Sequence, residues 1–278
     1  MSRLSISSWS LHRALGPRYR PAEDGAGGLI PDGLPGDLDL LDLPARIAAR
    51  GIRTLEVCHF HFPSLDEGYL ADLRAVLEGA GVALFSVLID AGDITHPDEA
   101  ARARELTWIR AWMEVAGRCG ATHARVIAGD AEVPAGDGEE VLRLSAENLR
   151  GLARFGRDRG VRVITENFRP LTRRPESLLK VLDMCEGEVG LCADFGNFKG
   201  STKYDDLAAI LPRADSVHAK AHYPAAGEMD RGDFVRCMDL VRGAGFDGPY
   251  SLIFDGPGDE WESLAEIQEV VEAYLEMP

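Results

Sequence analysis

Short apolar runs alternate along the chain with longer amphipathic segments rich in Ala, Leu, Arg and Glu. The apolar runs are nearly continuous, which is typical of parallel strands that are buried on both faces. The pattern predicts eight strands, at residues 4–9, 54–58, 83–88, 123–127, 162–165, 189–193, 216–219 and 250–254. It predicts eight helices between them, at residues 39–50, 65–80, 98–119, 138–159, 174–185, 204–211, 232–244 and 260–275.

Eight alternating strand and helix units in a chain of 278 residues predict one α/β domain, a single (β/α)8 TIM barrel over residues 1–278. A doubly wound open sheet is the alternative fold. Such a sheet usually carries a glycine-rich phosphate loop after its first strand, and no such loop follows residues 4–9. The pattern therefore favours the barrel.

The first predicted strand is followed by an irregular segment, at about residues 15–37, that is rich in glycine and proline. In a barrel of this type, the loops that follow the strands surround the active-site face. Long loops without their own secondary structure are often linkers or lids. We expect this first βα-loop to lie over the C-terminal mouth of the barrel.

Charge and composition narrow the classes of function. The chain has 46 Asp and Glu against 30 Lys and Arg, a net charge of −16, which disfavours nucleic-acid and membrane partners because both need a basic face. No segment reaches the roughly 18 apolar residues of a membrane-spanning helix, and the N-terminus lacks the apolar core of a signal peptide. The five scattered cysteines are typical of a reducing compartment. We expect a cytoplasmic protein, and the sequence is compatible with a homo-oligomer.

Acidic and histidine side chains crowd the predicted C-terminal ends of the strands, where the active site of such a barrel lies. They come from strands that are distant in the sequence. Carboxylates that lie close together repel one another unless a cation lies between them, so the pattern indicates a bound divalent metal ion. In strand order, the candidate residues are His12, Glu56, His59, His61, Asp90, Arg125, Glu166, Asp194, His218, Lys220 and Asp255.

Glu166, Asp194 and His218 follow three consecutive strands and are the predicted core of the metal site. Each has a simpler explanation when it is considered alone: an ion-paired rim carboxylate, a turn-forming aspartate and a buried core histidine. Their occurrence together favours a shared metal site. Oxygen ligands with one histidine suit Mn²⁺, Mg²⁺ or Co²⁺, and Zn²⁺ is compatible with them.

Four segments carry a family resemblance: Val-Ile-Thr-Glu166-Asn, Leu-Cys-Ala-Asp194-Phe-Gly-Asn, Ser-Val-His218-Ala-Lys220, and Gly-Phe-Asp-Gly-Pro-Tyr-Ser-Leu-Ile before Asp255. With these segments the chain resembles the xylose isomerase-like TIM barrel superfamily. That superfamily contains sugar phosphate isomerases and epimerases, ketose 3-epimerases, inosose dehydratases and apurinic endonucleases. The resemblance covers nearly the whole chain and is more specific for the superfamily than for any one substrate.

The resemblance implies a ligand set. In the family, a Glu after strand five, an Asp after strand six, a His after strand seven and a Glu after strand eight hold one divalent ion. The first three correspond to Glu166, Asp194 and His218, but Ile253 stands where the fourth is expected. Asp255 lies two residues further, on the same face of the strand, and we expect it to serve as the fourth ligand after an inward bend of the chain. A site with three protein ligands and extra water is the alternative.

The resemblance implies a divalent-metal-dependent isomerase or epimerase that acts on a sugar or sugar phosphate. The reaction would proceed by proton abstraction next to a carbonyl, through a metal-stabilised enediolate. Two alternatives stay open: a dehydratase that acts on a related polyol or keto-sugar, and a non-catalytic sugar-binding barrel. The predicted catalytic residues are Glu166 and Asp255, and the predicted substrate-binding residues are His12, Glu56, His59, His61, Asp90, Arg125 and Lys220.

Overall fold

A computed structural model describes residues 1–21, 28–134 and 138–276. Eight parallel strands close into a barrel in which each strand pairs with its neighbours along the chain, and the first pairs with the last. The other two strands, β2 and β3, form an antiparallel hairpin after the first barrel strand. The strands are β1 (Arg3–Ser7), β2 (Arg18–Pro21), β3 (Leu29–Asp32), β4 (Thr54–Cys58), β5 (Ala83–Ile89), β6 (His123–Val126), β7 (Arg162–Glu166), β8 (Gly190–Asp194), β9 (Ser216–Lys220) and β10 (Pro249–Ile253).

Helices connect successive barrel strands. Local signals set their ends: the carboxylate of Asp98 accepts a hydrogen bond from the backbone N–H of Ala101 where α4 begins, and Gly120 adopts a left-handed conformation where α4 ends. The helices are α1 (His12–Leu15), α2 (Leu43–Ala48), α3 (Glu67–Ala80), α4 (Glu99–Cys119), α5 (Glu139–Arg157), α6 (Pro175–Met184), α7 (Lys203–Ile210), α8 (Arg231–Gly243) and α9 (Glu260–Leu275).

Alternation along the barrel strands separates two environments. In β9, Val217 and Ala219 belong to the apolar core, whereas His218 is a buried polar residue that points the other way. The same alternation applies to the neighbouring strands, so polar side chains near their carboxyl ends converge inside the barrel. The buried polar residues at these ends include Glu56, Arg125, Glu166, Asp194 and His218.

The predicted barrel is confirmed, and the predicted strands and helices all have counterparts in the structure. The first strand ends two residues earlier than predicted, and the start of the helix predicted at residues 39–50 differs by four residues. The first strand ends at Ser7, because the Ser7 hydroxyl accepts the backbone N–H of Trp9 and a 3-10 helix begins there. Helix α2 is shorter than residues 39–50, because Pro44 has no N–H and belongs in the first turn of a helix.

The predicted irregular loop at residues 15–37 contains the hairpin of β2 and β3, which sequence periodicity did not predict. Residues 22–27 of that loop lie outside the described residues. The base of the hairpin is narrow: a Cβ atom on Gly16, whose φ is +81°, would lie 2.0 Å from the backbone nitrogen of Gly36. Glycine is therefore required where the two ends of the loop meet.

The cysteines and the helices bear on two other sequence expectations. All five cysteines are buried and none forms a disulfide. Buried free thiols of this kind pack as small apolar side chains. Among the helices within the described residues, none combines the length and the apolar character that crossing a bilayer requires.

Candidate metal centre

A cavity of about 500 Å³ opens at the carboxyl ends of the barrel strands. This volume lies in the range of small-molecule sites. Aromatic rings form one part of its wall and charged side chains form most of the remainder. The residues that line the cavity include Trp9, Arg18, His59, Phe60, Asp90, Arg125, Glu166, Phe168, Arg169, Asp194, Asn197, His218, Lys220, Ile253 and Asp255.

The three predicted metal ligands meet in this cavity. His218 Nδ1 lies 3.6 Å from Glu166 Oε1 and 3.6 Å from Asp194 Oδ2. The barrel explains the meeting: β7, β8 and β9 are neighbours, and Asp194 and His218 are direct partners across two of them. Two carboxylate oxygens and an imidazole nitrogen therefore surround one position.

Cys192 also belongs to this cluster, which sequence reasoning missed. One ligand atom from each of Glu166, Cys192 and His218 lies within 4.8 Å of the others. The signal was present, since Cys192 lies two residues before Asp194 and hence on the same face of β8. Burial raises the pKa of the Cys192 thiol to about 11. A thiol that stays protonated is a poor ligand, so the hard oxygen donors and His218 fit a divalent cation better.

His218 is oriented by a residue that lies behind it. Its Nε2 is 3.0 Å from Glu56 Oε2, and both side chains are buried. A carboxylate can only accept, so Nε2 carries a proton, and Nδ1 is the nitrogen that faces Glu166 and Asp194. A metal ion at Nδ1 would replace the second ring proton while Glu56 holds the first. Glu56 was predicted to bind substrate; in the structure it contacts His218 and is not among the cavity-lining residues.

The charges around His218 also fit a cation. Burial alone would lower the pKa of His218, but the neighbouring Cys192, Glu56 and Glu166 and a hydrogen bond with Asp194 raise it well above its usual range. The cluster thus attracts positive charge. The buried Glu56 Oε1 has no hydrogen-bond partner, and Glu166 Oε2 has only the ion-pair contact with Arg125. Carboxylates with this unused accepting capacity beside an imidazole fit a divalent ion.

Arg125 and Asp90 form an ion pair beside the cluster. Arg125 Nη2 donates to Asp90 Oδ1 at 2.5 Å, and Arg125 Nε lies 3.0 Å from Glu166 Oε2. Burial disfavours the charge on Arg125, but Asp90 and Glu166 raise the pKa of its guanidinium. Arg125 is therefore a permanent cation in the cavity wall, and both predicted substrate-binding residues lie in the cavity.

The eighth barrel strand, β10, departs from the expected geometry. Ile253 pairs in register with Lys220, and Asp255 follows one pleat further towards solvent. Its Oδ2 lies 2.5 Å from Lys220 Nζ, and its side chain is 36% exposed. Burial opposes the charge on Lys220, but Asp194 and Asp255 raise its pKa. Asp255 thus lines the cavity as the partner of Lys220, and the expected inward bend that would bring it to His218 is not observed.

The remaining predicted histidines separate. His59 lines the cavity, and its Nδ1 accepts the backbone N–H of Asp90 at 3.2 Å. His61 lines a different cavity, and its Nδ1 forms a hydrogen bond with the Ser8 hydroxyl at 2.8 Å. His12 stacks on Trp9 with ring centroids 4.6 Å apart and is not among the residues that line either cavity. A role in substrate binding stays a prediction for all three, and the geometry favours it for His59.

Several lining residues were not predicted. Phe168 and Arg169 follow Glu166 closely, so their distance from the end of β7 was an available signal. The Arg18 guanidinium lies 5.1 Å from the centre of the Trp9 ring and 5.2 Å from that of Phe60. Arg18 belongs to the hairpin strand β2, and no sequence signal connected it to the strand ends.

The model of the family described as xylose isomerase-like TIM barrel matches residues 44–274. The chain belongs to this family. No match was found among curated proteins. Within the family, the matched residues include all the candidate ligands.

Solved structures of low sequence identity share the fold over nearly the full length. A D-tagatose 3-epimerase-like protein is 17% identical, with a TM-score of 0.66 and coverage of 99% of this chain and 97% of that one. The D-psicose 3-epimerase from Clostridium cellulolyticum H10 is 13% identical, with a TM-score of 0.68 and coverage of 98% and 96%. A probable 3-DHS dehydratase from Bacillus anthracis is 15% identical, with a TM-score of 0.69 and coverage of 97% and 98%.

Proposed function

We propose that this protein is a divalent-metal-dependent enzyme that isomerises or epimerises a sugar or sugar phosphate. The observation that carries the proposal is the convergence of Glu166 and Asp194 on Nδ1 of His218, each at 3.6 Å. The family membership and the 3-epimerases among the similar structures support it. The proposed substrate is a hydroxy-carbonyl compound small enough for the cavity.

Glu166, Asp194 and His218 would hold the ion, and Glu56 would keep the His218 ring in the ligating tautomer. When bound, a divalent ion polarises a carbonyl oxygen and makes the hydrogen on the neighbouring carbon more acidic. Asn197 would keep Glu166 in place, since its Nδ2 donates to Glu166 Oε1 at 2.9 Å.

Two carboxylates are the proposed proton carriers, Glu166 and Asp255. One of them takes the proton from the carbon next to the carbonyl, and the electron pair of the C–H bond moves into an enediolate whose oxygen gains the negative charge. Lys220, held by Asp255, can stabilise that oxygen. Return of the proton to the other face of the same carbon gives an epimer, and return to the neighbouring carbon gives an isomer.

A dehydratase is the second candidate, and Ile253 is the observation that favours it. Epimerisation is best served by proton carriers on both faces of the substrate, and Ile253 places an apolar side chain where the family has a carboxylate. Elimination of water needs one base and one acid. A carboxylate takes the carbon-bound proton, the electron pair forms a C=C bond, and the hydroxyl leaves as water with a proton from Lys220.

The test is a solvent-exchange experiment on the protein loaded with Mn²⁺. Ketoses, ketose phosphates and keto derivatives of polyols are incubated with it in D₂O, and NMR follows deuterium at carbon and the products formed. We expect exchange next to a carbonyl that stops when a chelator removes the metal. New epimers or isomers support the first function, and a dehydrated product supports the second. Tight binding of a sugar without any exchange contradicts both and supports a sugar-binding barrel.

A further inference from the structure

We propose that the substrate carries an anionic group, a carboxylate or a phosphate, and that Arg18 binds this group at the mouth of the cavity. The inference rests on the proposed function, because it concerns the ligand of the same cavity. It goes beyond that function because it separates acidic sugars from neutral ones and assigns a residue of the first loop to the difference.

The charges that line the cavity support a site for an anion. Among the described residues, the lining side chains carry four carboxylates and four cations. A divalent ion held by Glu166, Asp194 and His218 would leave an excess of two positive charges, or of one when the buried Glu56 is included. The whole chain, in contrast, has a net charge of −16. With that ion bound, the cavity would differ in sign from the molecule, as expected for a site that takes an anion.

Three of the four lining cations already contact carboxylates. Arg125 and Lys220 each have a carboxylate oxygen at 2.5 Å. Arg169 has Asp130 Oδ1 at 3.8 Å. Arg18 has no ion-pair partner among the residues that the structure describes, although the chain is rich in acidic residues. Its positive charge is therefore available to a ligand.

Arg18 is held in place by aromatic rings and by the pairing of its backbone. Its guanidinium contacts the Trp9 and Phe60 rings, and both aromatic residues also line the cavity. The backbone of Arg18 pairs with Asp32 across the hairpin, so the start of the side chain is fixed. The rings contact the guanidinium without accepting its N–H groups, and no described residue forms a side-chain hydrogen bond with it, so two parallel hydrogen bonds to a carboxylate or phosphate can form there.

The position of Arg18 also indicates where the anion lies in the substrate. Arg18 comes from the hairpin after β1, whereas the candidate ligands end β7, β8 and β9. The anionic group is therefore distinct from the hydroxy-carbonyl portion that reacts at the other wall.

The test measures binding by titration calorimetry to the Mn²⁺-loaded protein. The probes are D-fructose, D-fructose 6-phosphate and D-fructuronate, which differ in their anionic group. We expect at least one of the two anionic ketoses to bind about 10- to 100-fold more tightly than fructose, and whichever does so identifies a phosphate or a carboxylate as the preferred group. R18Q should remove this preference and leave the dissociation constant for fructose unchanged.

The matched control is R236Q. Arg236 also lies over an aromatic ring, that of Tyr204 at 3.7 Å, but it belongs to α8 and does not line the cavity. The R236Q variant should bind all three probes as the wild type does. Failure of both anionic ketoses to bind more tightly than fructose overturns the proposal. An R18Q variant that keeps the preference, or that weakens fructose equally, overturns it as well.

The same samples distinguish this inference from the proposed function. Deuterium exchange in D₂O reports the proton chemistry, and the calorimetry reports the charge preference. A preference for anions without exchange in any ligand upholds the role of Arg18 and contradicts the enzyme. Exchange without a preference for anions upholds the enzyme and contradicts the role of Arg18.

Discussion

Two walls of the same cavity shift the pKa of histidine in opposite directions. On the wall built by β7, β8 and β9, the side chain of His218 faces Glu166 and Asp194, and its pKa is raised. On the wall that follows β4, burial lowers the pKa of His59 to about 4. His61 follows the same strand but lines a second cavity, and burial together with the charges of His12 and Arg18 lowers its pKa to about 3.

The neighbours of each ring explain the difference. The ring of His59 lies edge-on to Phe60, Trp108 and Trp112, with centroids 5.1 to 5.3 Å apart. Aromatic neighbours desolvate the imidazole without offering a negative charge, so the neutral form is favoured. The first wall is therefore suited to hold a cation, whereas the second keeps the imidazole of His59 neutral beside the one positive charge of Arg18. Four predictions test this division, in order of decreasing effect.

Asp194→Ala should abolish tight metal binding, since it removes one of the two anionic ligands of the first wall. We expect an affinity for Mn²⁺ more than ~100-fold weaker, beyond the loss that follows removal of an outer partner. Metal content after dialysis against a chelator measures it. Asp255→Ala is the control and should keep its metal, because Asp255 contacts Lys220. Full occupancy in Asp194→Ala would show that the ligands are misassigned.

Asp255→Asn should slow deuterium exchange into the substrate by about 100-fold while metal affinity stays unchanged. The rate falls because asparagine can neither accept the proton nor hold the charge of Lys220. Asp183→Asn is the matched control, because Asp183 forms a surface ion pair with Arg213 at 2.7 Å, away from the cavity. A normal exchange rate in Asp255→Asn would leave Glu166 as the remaining candidate base.

Glu56→Gln should weaken Mn²⁺ binding by about tenfold, because the amide holds the His218 ring less firmly than the carboxylate does. Competition with a fluorescent chelator measures the dissociation constant. Circular dichroism of the same samples separates loss of ligand orientation from unfolding. If affinity is unchanged in a folded variant, Glu56 does not orient the ligand.

The titration of His59 and His61 should lower the free energy of unfolding of the metal-free protein by about 3 kcal/mol as the pH drops from 6.5 towards 5. The folded state holds His59 and His61 neutral, so their stabilisation is complete above the unfolded pKa near 6.5 and is lost as the pH falls towards the folded values. Denaturant titrations at several pH values measure it. His61→Gln should flatten this dependence, and His96→Gln, which changes a more exposed ring, should not. An equal slope in His61→Gln and the wild type would contradict a neutral His61 in the folded state.

Sequence periodicity alone determined the barrel and the residues at the ends of its strands. Apolar runs of strand length and amphipathic segments of helix length depend on neighbours that are near in the chain, so they can be recognised without the fold. Once eight such units close into a barrel, the carboxyl ends must meet. Glu166, Asp194 and His218 were therefore predictable as a cluster, and so was the position of Ile253.

The tertiary structure decided which partner each of these side chains contacts. Glu56 contacts His218 from 162 positions away, because closure of the barrel brings β4 opposite β9. Asp255 contacts Lys220 because the stagger between β10 and β9 places it one pleat above the ligand cluster. Arg18 reaches the cavity through a hairpin that the sequence pattern did not predict. Such contacts depend on strand register and loop conformation, which are set by packing between distant segments and which local patterns of apolar and polar residues do not encode.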